Sequence, residues 1–259
     1  MIRFITPALN ESPNLARLFG RLESALATMG REGELILVDD GSTDDTVQVA
    51  QAHRGRMTVR CVSHPTNLGP GVAFRTGFLA ARALHRAGDL WCTLESDNTS
   101  DPAILSEMTR RADGGADLVL ASVYAPGGKV LATSRTRKVL SVWANTLMRS
   151  AFGLPHVHTF TSFYRVYRGD FMLKALEAWG DDLVAERGFT CMAELLAKLH
   201  RLGARIEEVP MVLDGSLRVG ASRMRIWKNV RAHVGLMKRY IASGGFRPPG
   251  AREARRRAA

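Results

Sequence analysis

The chain has 259 residues, 46% of them apolar, which is enough material to bury a sizeable core. Lys and Arg number 36 against 25 Asp and Glu, so the formal net charge is +11, and the excess lies after residue 130. This composition excludes a disordered chain and predicts an anionic partner, namely nucleic acid, an acidic membrane surface or a phosphorylated substrate.

Short apolar runs alternate with helical patterns in the first half of the chain. The runs predict five strands, at residues 2–6, 34–38, 57–63, 90–94 and 117–121. The first helix is predicted to follow Ser12 as its N-cap, the second to begin at Ser42 or Thr43, and the third to run from about residue 71 to 85. This alternation predicts an α/β domain with a mostly parallel sheet, in which the helices are crossovers.

The second half of the chain is more basic than the first. A Gly-Gly turn at residues 127–128 interrupts the pattern, and residues 129–149 and 224–241 each combine an apolar stripe with Lys and Arg. The residues from 244 onward, with two prolines and an Arg triplet, predict a disordered tail.

The cysteines and the hydropathy pattern indicate the cellular compartment of the protein. Cys61, Cys92 and Cys191 are odd in number and lack C-x-x-C spacing, so we expect reduced core residues of a cytosolic protein. The first residues lack the apolar stretch of a signal peptide, and no apolar run approaches the roughly 20 residues that span a bilayer. We therefore expect a cytoplasmic protein that is not integral to a membrane.

Acidic and polar residues follow three of the predicted strands, where an open α/β sheet binds its ligands. The segments are Thr6-Pro7-Ala8-Leu9-Asn10-Glu11, Val38-Asp39-Asp40-Gly41-Ser42-Thr43-Asp44 and Leu94-Glu95-Ser96-Asp97. Turn and helix-cap chemistry explains residues 42–44. Two consecutive carboxylates at a strand end need hydrogen-bond donors, however, and a nucleobase or ribose supplies them for Asp39 and Asp40.

Two further features suggest phosphate chemistry, and each also has a simpler explanation. Glu95 and Asp97 offer hard oxygen ligands that suit Mg²⁺ or Mn²⁺, although acidic loops are common. The glycines of residues 67–71 precede a helix that carries Arg75, so their amides are candidates for phosphate binding, although such glycines are often only part of a loop. The segment is not a P-loop, because G-x-x-x-x-G-K is absent.

Taken in this order, the segments resemble the donor-site motifs of the family 2 glycosyltransferases. The likeness continues through residues 161–168, 194–196, 203–210 and 218–223. This set of motifs resembles the dolichol-phosphate mannosyltransferase and polyprenyl-phosphate glycosyltransferase branch of the family. The resemblance implies the GT-A fold, a Rossmann-like, mostly parallel central sheet flanked by helices, here with basic amphipathic C-terminal helices. It divides the chain into a nucleotide-sugar-binding half at 1–125, an acceptor-binding half at 126–243 and the tail at 244–259.

The resemblance also implies roles for individual residues. Glu95 and Asp97 hold Mg²⁺ or Mn²⁺ and are catalytic, together with Arg137 and Arg218. The GDP- or UDP-sugar donor contacts Pro7, Leu9, Glu11, Val38, Asp40, Arg75 and Ser96. A polyprenyl phosphate acceptor contacts Arg135, Arg137, Lys138, Ser162, Arg218 and Arg223. Sugar transfer inverts the anomeric configuration, and the protein associates peripherally with the cytoplasmic face of a membrane.

Several positions depart from the family pattern. Glu95 replaces the first Asp of D-x-D, and Thr99 replaces a frequent Gln. Val123 replaces the Arg of Gly-Ser-Arg, and Thr159 and Phe163 replace the Asp and Gly of Asp-x-Thr-Ser-Gly. The alternatives are therefore an atypical sugar or acceptor and a degenerate, non-catalytic family member.

The sequence also leaves open which chemical group accepts the sugar. A soluble or saccharide hydroxyl would need a general base, for which Asp181 or Asp182 is a candidate, although a solvated loop explains them as well. His156 and His158 are candidates for contact with an acceptor phosphate, or simply surface residues. Nucleic acid is not expected as a partner, because no reading module is present and acidic strand ends repel phosphodiesters.

Overall fold

A central seven-stranded sheet organises the structure, a computed structural model that describes residues 1–132, 135–217 and 226–249, without the side chains of 135–138 and 226–228. The strand order is β3-β2-β1-β4-β7-β5-β8, and β6 and β9 form a separate parallel pair. The strands are β1 (Ile2–Ala8), β2 (Gly33–Asp39), β3 (Thr58–Ser63), β4 (Leu90–Thr93), β5 (Leu118–Ser122), β6 (Lys129–Leu131), β7 (Arg165–Arg168), β8 (Ile206–Pro210) and β9 (Val212–Asp214).

Helices cover both faces of this sheet. They are α1 (Ser12–Met29), α2 (Thr46–Gln51), α3 (Pro70–Leu84), α4 (Leu105–Asp113), α5 (Arg135–Phe152), α6 (Gly169–Trp179), α7 (Cys191–Arg201) and α8 (Ile226–Ala242). Apolar side chains of α1 and α4 bury one face, and those of α3, α6 and α7 bury the other. None of the helices in the described ranges is long and apolar enough to cross a membrane.

The predicted α/β architecture is confirmed, and the five predicted strands are present with ends within two residues. The second helix, however, begins at Thr46 rather than at Ser42 or Thr43. The reason is local, because the Ser42 hydroxyl accepts a hydrogen bond from the Asn10 amide and the Thr43 amide donates to the Asn10 side chain. These bonds hold residues 42–43 in a turn.

Strand β7 was not among the predicted strands. It lies between β4 and β5 and runs antiparallel to both, with Thr93 opposite Arg165. The first residue of β7 therefore lies at the sheet edge where β1, β2 and β4 end. This places residues 159–163, which precede β7, beside the acidic strand ends.

The two basic segments form α5 and α8, but their apolar stripes differ in exposure. In α8, Met237 and Tyr240 are buried, and Tyr240 packs edge-on against Phe152 with 4.7 Å between the ring centroids. Phe246, in the predicted tail, is also buried and packs against Tyr240. The predicted tail thus begins with packed residues, and residues 250–259 lie outside the described ranges.

Candidate active site

Three acidic loops meet at the carboxyl edge of the sheet. Central strand β1 pairs with β2 on one side and β4 on the other, so Pro7 lies opposite Val38 and Ile5 lies opposite Thr93. The loops after β1, β2 and β4 consequently start side by side. They carry six of the predicted donor-site residues, Leu9, Glu11, Asp40, Glu95, Ser96 and Asp97.

Asp40 is buried and already engaged by the protein. Its Oδ1 accepts hydrogen bonds from the amide of Leu68 at 2.9 Å and from Nδ1 of His64 at 2.8 Å, and its Oδ2 accepts from the amide of Gly69 at 2.9 Å. Asp39 accepts from the Ser42 amide at 3.1 Å. The chain itself thus supplies donors to Asp39 and Asp40, where a nucleoside was predicted to supply them, and the carboxylate of Asp40 keeps one further acceptor position on Oδ2.

The glycine-rich segment that leads into the first turn of α3 packs against another part of the chain. The Gly71 amide donates to the carbonyl of Arg187 at 2.9 Å, and a Cβ at Gly71 would lie 1.8 Å from the carbonyl oxygen of Glu186. A Cβ at Gly69 would lie 2.5 Å from the carbonyl oxygen of Arg187. The amides of residues 68, 69 and 71 are thus bonded within the protein and are not offered to a phosphate. Glycine permits close backbone approach here.

His64 is a site residue that the sequence did not reveal. Its Nδ1 contacts Asp40, and its Nε2 lies 2.9 Å from Oγ1 of Thr76 on α3. A lone His after a strand carries no recognisable signal, so only the fold shows that it connects β2 with α3. Arg75, next to Thr76, is half-buried and forms no hydrogen bond or ion pair with the described residues.

Asp44 ties the first two loops together. Its carboxylate accepts hydrogen bonds from the hydroxyl of Ser12 at 2.7 Å and from the amide of Thr46 at 3.1 Å. Burial opposes its charge, but the bonds from Thr46 and Ser12 outweigh burial and hold the pKa of Asp44 below its usual value. Asp44 is not the N-cap of α2, a position that Asp45 occupies, so of the predicted turn and cap roles the structure supports a turn that joins the first two loops.

Asn14 and Asn98 connect the first loop with the third. The side chain of Asn14 donates to Glu11 at 2.6 Å, and the carbonyl of Asn14 accepts from the side chain of Asn98 at 2.9 Å. Asn98 has a φ of +62°, a conformation that Asn tolerates better than most residues. The loop that carries Glu95 and Asp97 is consequently fixed against the start of α1.

Glu95 and Asp97 follow β4 and place two carboxylates close together. Burial and then the charge of Asp97 raise the pKa of Glu95, although Glu95 accepts a hydrogen bond from the Ser100 hydroxyl at 2.8 Å. Asp97 accepts from the hydroxyl of Thr99 at 2.7 Å. This mutual repulsion is what a divalent cation relieves, so the carboxylates fit Mg²⁺ or Mn²⁺.

The described residues do not supply a complete set of ligands for such an ion. No group of three or more His, Cys, Asp or Glu side chains in the described part of the chain could hold a metal. A cation at Glu95 and Asp97 would thus need oxygen ligands from water and from a bound diphosphate, which is the usual manner of Mg²⁺ binding.

The predicted acceptor residues are only partly visible. Arg135, Arg137 and Lys138 form the start of α5, but their side chains are not described, and Arg218 and Arg223 lie outside the described residues. The hydroxyl of Ser162, which was predicted to contact the acceptor, accepts a hydrogen bond from the Tyr164 amide at 3.2 Å.

Thr159, one of the positions that depart from the family pattern, is held by hydrogen bonds from its hydroxyl and from its amide. The hydroxyls of Ser122 and Thr159 lie 2.7 Å apart and are buried. Glu208 accepts from the Thr159 amide and pairs with Nδ1 of His158 at 2.6 Å. His158 is therefore engaged by a carboxylate, while His156, Asp181 and Asp182 are exposed.

Comparison with known proteins identifies the family. The profile described as "Glycosyl transferase family 2" matches residues 4–173. The chain is 31% identical over 222 residues to a polyprenol monophosphomannose synthase of Mycolicibacterium smegmatis, covering 85% of this chain and 79% of the relative. It is 30% identical over 251 residues to an undecaprenyl-phosphate mannosyltransferase of Micrococcus luteus, covering 90% and 98%.

Solved structures agree on the fold. Glucosyl-3-phosphoglycerate synthase of Mycobacterium tuberculosis, in complex with Mn²⁺, UDP-glucose and phosphoglyceric acid, superposes with a TM-score of 0.63 at 20% identity, covering 92% of this chain and 79% of that one. The fold is thus GT-A. The chain belongs to glycosyl transferase family 2 and is a glycosyltransferase.

Proposed function

We propose that the protein transfers a sugar from a GDP- or UDP-sugar to a polyprenyl phosphate, with inversion and with dependence on Mg²⁺ or Mn²⁺. The observation that carries this proposal is the position of Glu95 and Asp97, two adjacent carboxylates beside the loops that bear Asp40 and Glu11. The polyprenol monophosphomannose synthase and the undecaprenyl-phosphate mannosyltransferase named above, which the chain matches over 79% and 98% of their lengths, support a polyprenyl phosphate as the acceptor.

The donor half is assigned by placement and by family likeness. In this proposal Pro7, Leu9, Glu11 and Asp40 contact the nucleoside, and Ser96 and Arg75 contact the diphosphate. Val38, which was also predicted to contact the donor, is 0% exposed and packs in the core between the sheet and α3, so its side chain does not reach a ligand. Glu95 and Asp97 would hold the metal, which supplies positive charge to a leaving nucleoside diphosphate. Because His64 and the 68–69 amides fix Asp40, the carboxylate is oriented before the donor binds.

A phosphate acceptor suits the observed side chains better than a hydroxyl acceptor does. A phosphate monoester is largely anionic near neutral pH and attacks without a general base, whereas a hydroxyl requires one. Asp181 and Asp182 are exposed, and His158 is paired with Glu208. The hydroxyl acceptor and a degenerate, non-catalytic protein remain the competing proposals, since Val123, Thr159 and Phe163 depart from the family.

An exposed apolar stripe on α5 supports peripheral association with the cytoplasmic face of a membrane. Val139, Val142 and Trp143 are 67%, 47% and 51% exposed and lie on one helix face, beyond the first turn that carries Arg135, Arg137 and Lys138. Leu131 and Val212 on the β6–β9 pair are 45% and 41% exposed. Apolar and aromatic side chains beside basic ones are typical of interfacial helices.

Transfer assays test the proposed reaction. Purified protein is incubated with GDP- and UDP-sugars, Mg²⁺ or Mn²⁺, and a short polyprenyl phosphate, and nucleoside diphosphate release and the anomeric configuration of the product are measured. We expect release only with lipid phosphate and metal, and its loss on chelation. Release with a sugar alcohol alone would instead establish a hydroxyl acceptor, and no release with any acceptor would favour the degenerate protein.

Replacing the exposed Trp on α5 tests membrane association. We expect Trp143→Ala to weaken binding to vesicles that contain anionic lipid by about tenfold, because a large interfacial side chain is lost. Leu79→Ala is the matched control, since Leu79 is 41% exposed on α3, outside the stripe. Cosedimentation at two salt concentrations provides the measurement. Equal binding of both variants would exclude α5 as the membrane-facing element.

A further inference from the structure

Residues 185–190 pack against Gly69 and Gly71 on one side and against Phe163 on the other, and their backbone is fixed at several points. The buried carboxylate of Glu194 accepts from the amides of Ala185 at 2.9 Å and Glu186 at 2.7 Å. Arg239 of α8 pairs with the side chain of Glu186. At the other side, the carbonyl of Arg187 accepts from the Gly71 amide. Side chains that project from this segment therefore start from a rigid base.

Phe189 continues an aromatic array that begins in the core. Its ring stacks on that of Phe163 with the centroids 5.8 Å apart and the planes at 14°, and Phe163 in turn meets buried Phe74 edge-on at 5.0 Å. Both Phe163 and Phe189 are half-buried. The carbonyl of Phe163 accepts a hydrogen bond from the hydroxyl of Thr93 at 2.6 Å, so the aromatic pair lies beside the end of β4, two residues before Glu95.

Arg187 adds a cation to this apolar surface. It is exposed, and its side chain forms no hydrogen bond or ion pair with the described part of the chain. Between Arg187 and Phe189 lies Gly188, where an added Cβ would meet nothing within 4 Å. The segment thus carries an exposed guanidinium and a half-buried aromatic ring two residues apart.

We infer that Arg187, Phe163 and Phe189 form the site for the head of the acceptor, with the guanidinium on its phosphate and the aromatic pair on its first isoprene unit. The inference rests on the proposed function and assigns residues that the family likeness did not. Guanidinium groups bind phosphate with two parallel hydrogen bonds, and aromatic rings bury apolar groups at low entropic cost. An acceptor so held would lie beside the loop that carries Glu95 and Asp97, because Phe163 bonds to Thr93 at the start of that loop.

Binding measurements with geranyl phosphate, inorganic phosphate, GDP and UDP test the site by calorimetry in the presence of Mg²⁺. We expect Arg187→Ala and Phe189→Ala each to raise the Kd of geranyl phosphate by about tenfold. Only Arg187→Ala should also weaken the binding of inorganic phosphate. Arg17→Ala and Phe171→Ala, which replace an exposed Arg on α1 and a half-buried Phe on α6, serve as controls and should match the wild type.

Three results would overturn the inference in distinguishable ways. If both variants bind geranyl phosphate like the wild type, which still glycosylates polyprenyl phosphate, the site is wrong and the proposed function stands. If Arg187→Ala weakens the binding of GDP or UDP instead, the guanidinium contacts the nucleotide donor and not the acceptor. If the wild type neither binds nor glycosylates polyprenyl phosphates, the proposed function itself fails. Phe163→Leu, which keeps apolar volume, and urea unfolding separate loss of binding from loss of folding.

Discussion

Asp97→Asn is expected to abolish metal-dependent sugar transfer, with a loss of at least about a hundredfold, while the protein stays folded. The substitution removes one of the two negative charges at the proposed metal position. Asn keeps the size of Asp and retains an oxygen that can accept the hydrogen bonds from the amide and hydroxyl of Thr99. The loop after β4 should therefore keep its shape and lose its affinity for the cation.

Two readouts separate this effect from a structural one. Mn²⁺ binding in the presence of nucleoside diphosphate, followed by electron paramagnetic resonance, should weaken, and the urea unfolding midpoint should change little. Asp101→Asn is the control, because Asp101 also follows β4 but is 50% exposed and pairs with Arg21. Normal turnover by Asp97→Asn would refute the metal assignment, and equal losses in both variants would indicate general damage to the loop.

The sequence predicted the architecture and the edge of the sheet that carries the site, because both depend on local patterns. Apolar runs between helical periods define parallel strands, and polar residues after those runs must meet at one edge. Asp40, Glu95 and Asp97 could thus be found without coordinates. The position of β7 could not, because a short strand that pairs antiparallel with β4 and β5 depends on contacts between distant segments.

The partners of the site residues could not be predicted either. Whether Asp40 lacks donors depends on His64 and on residues 68–69, which approach only in the folded chain. The glycines at 69 and 71 have the same appearance in the sequence whether a phosphate or another segment lies against them. Arg187 and Phe189 belong to no motif, and only the contact of Phe189 with Phe163 places them beside Glu95.

Gly71→Ala is expected to destabilise the protein and weaken donor binding, although it adds a single methyl group. The new Cβ would lie 1.8 Å from the carbonyl oxygen of Glu186 and 3.0 Å from Cβ of Cys191, so backbone must move. Because Glu194 and Arg239 hold Glu186 in place, the movement falls on the loop before α3. Overpacking of this kind costs about 3 kcal/mol in the free energy of unfolding.

Gly71→Ala should also weaken donor binding, because the same segment orients Asp40 through the amides of Leu68 and Gly69. The matched control is Gly20→Ala on the exposed side of α1, where an added Cβ meets nothing within 4 Å. That change should stabilise the helix by about 0.5–1 kcal/mol, since Ala favours helix over Gly. Urea unfolding and calorimetric titration with GDP and UDP compare the two variants. Opposite signs of the stability change are expected, and a Gly71→Ala protein as stable as Gly20→Ala would show that residues 186–187 do not pack against this loop.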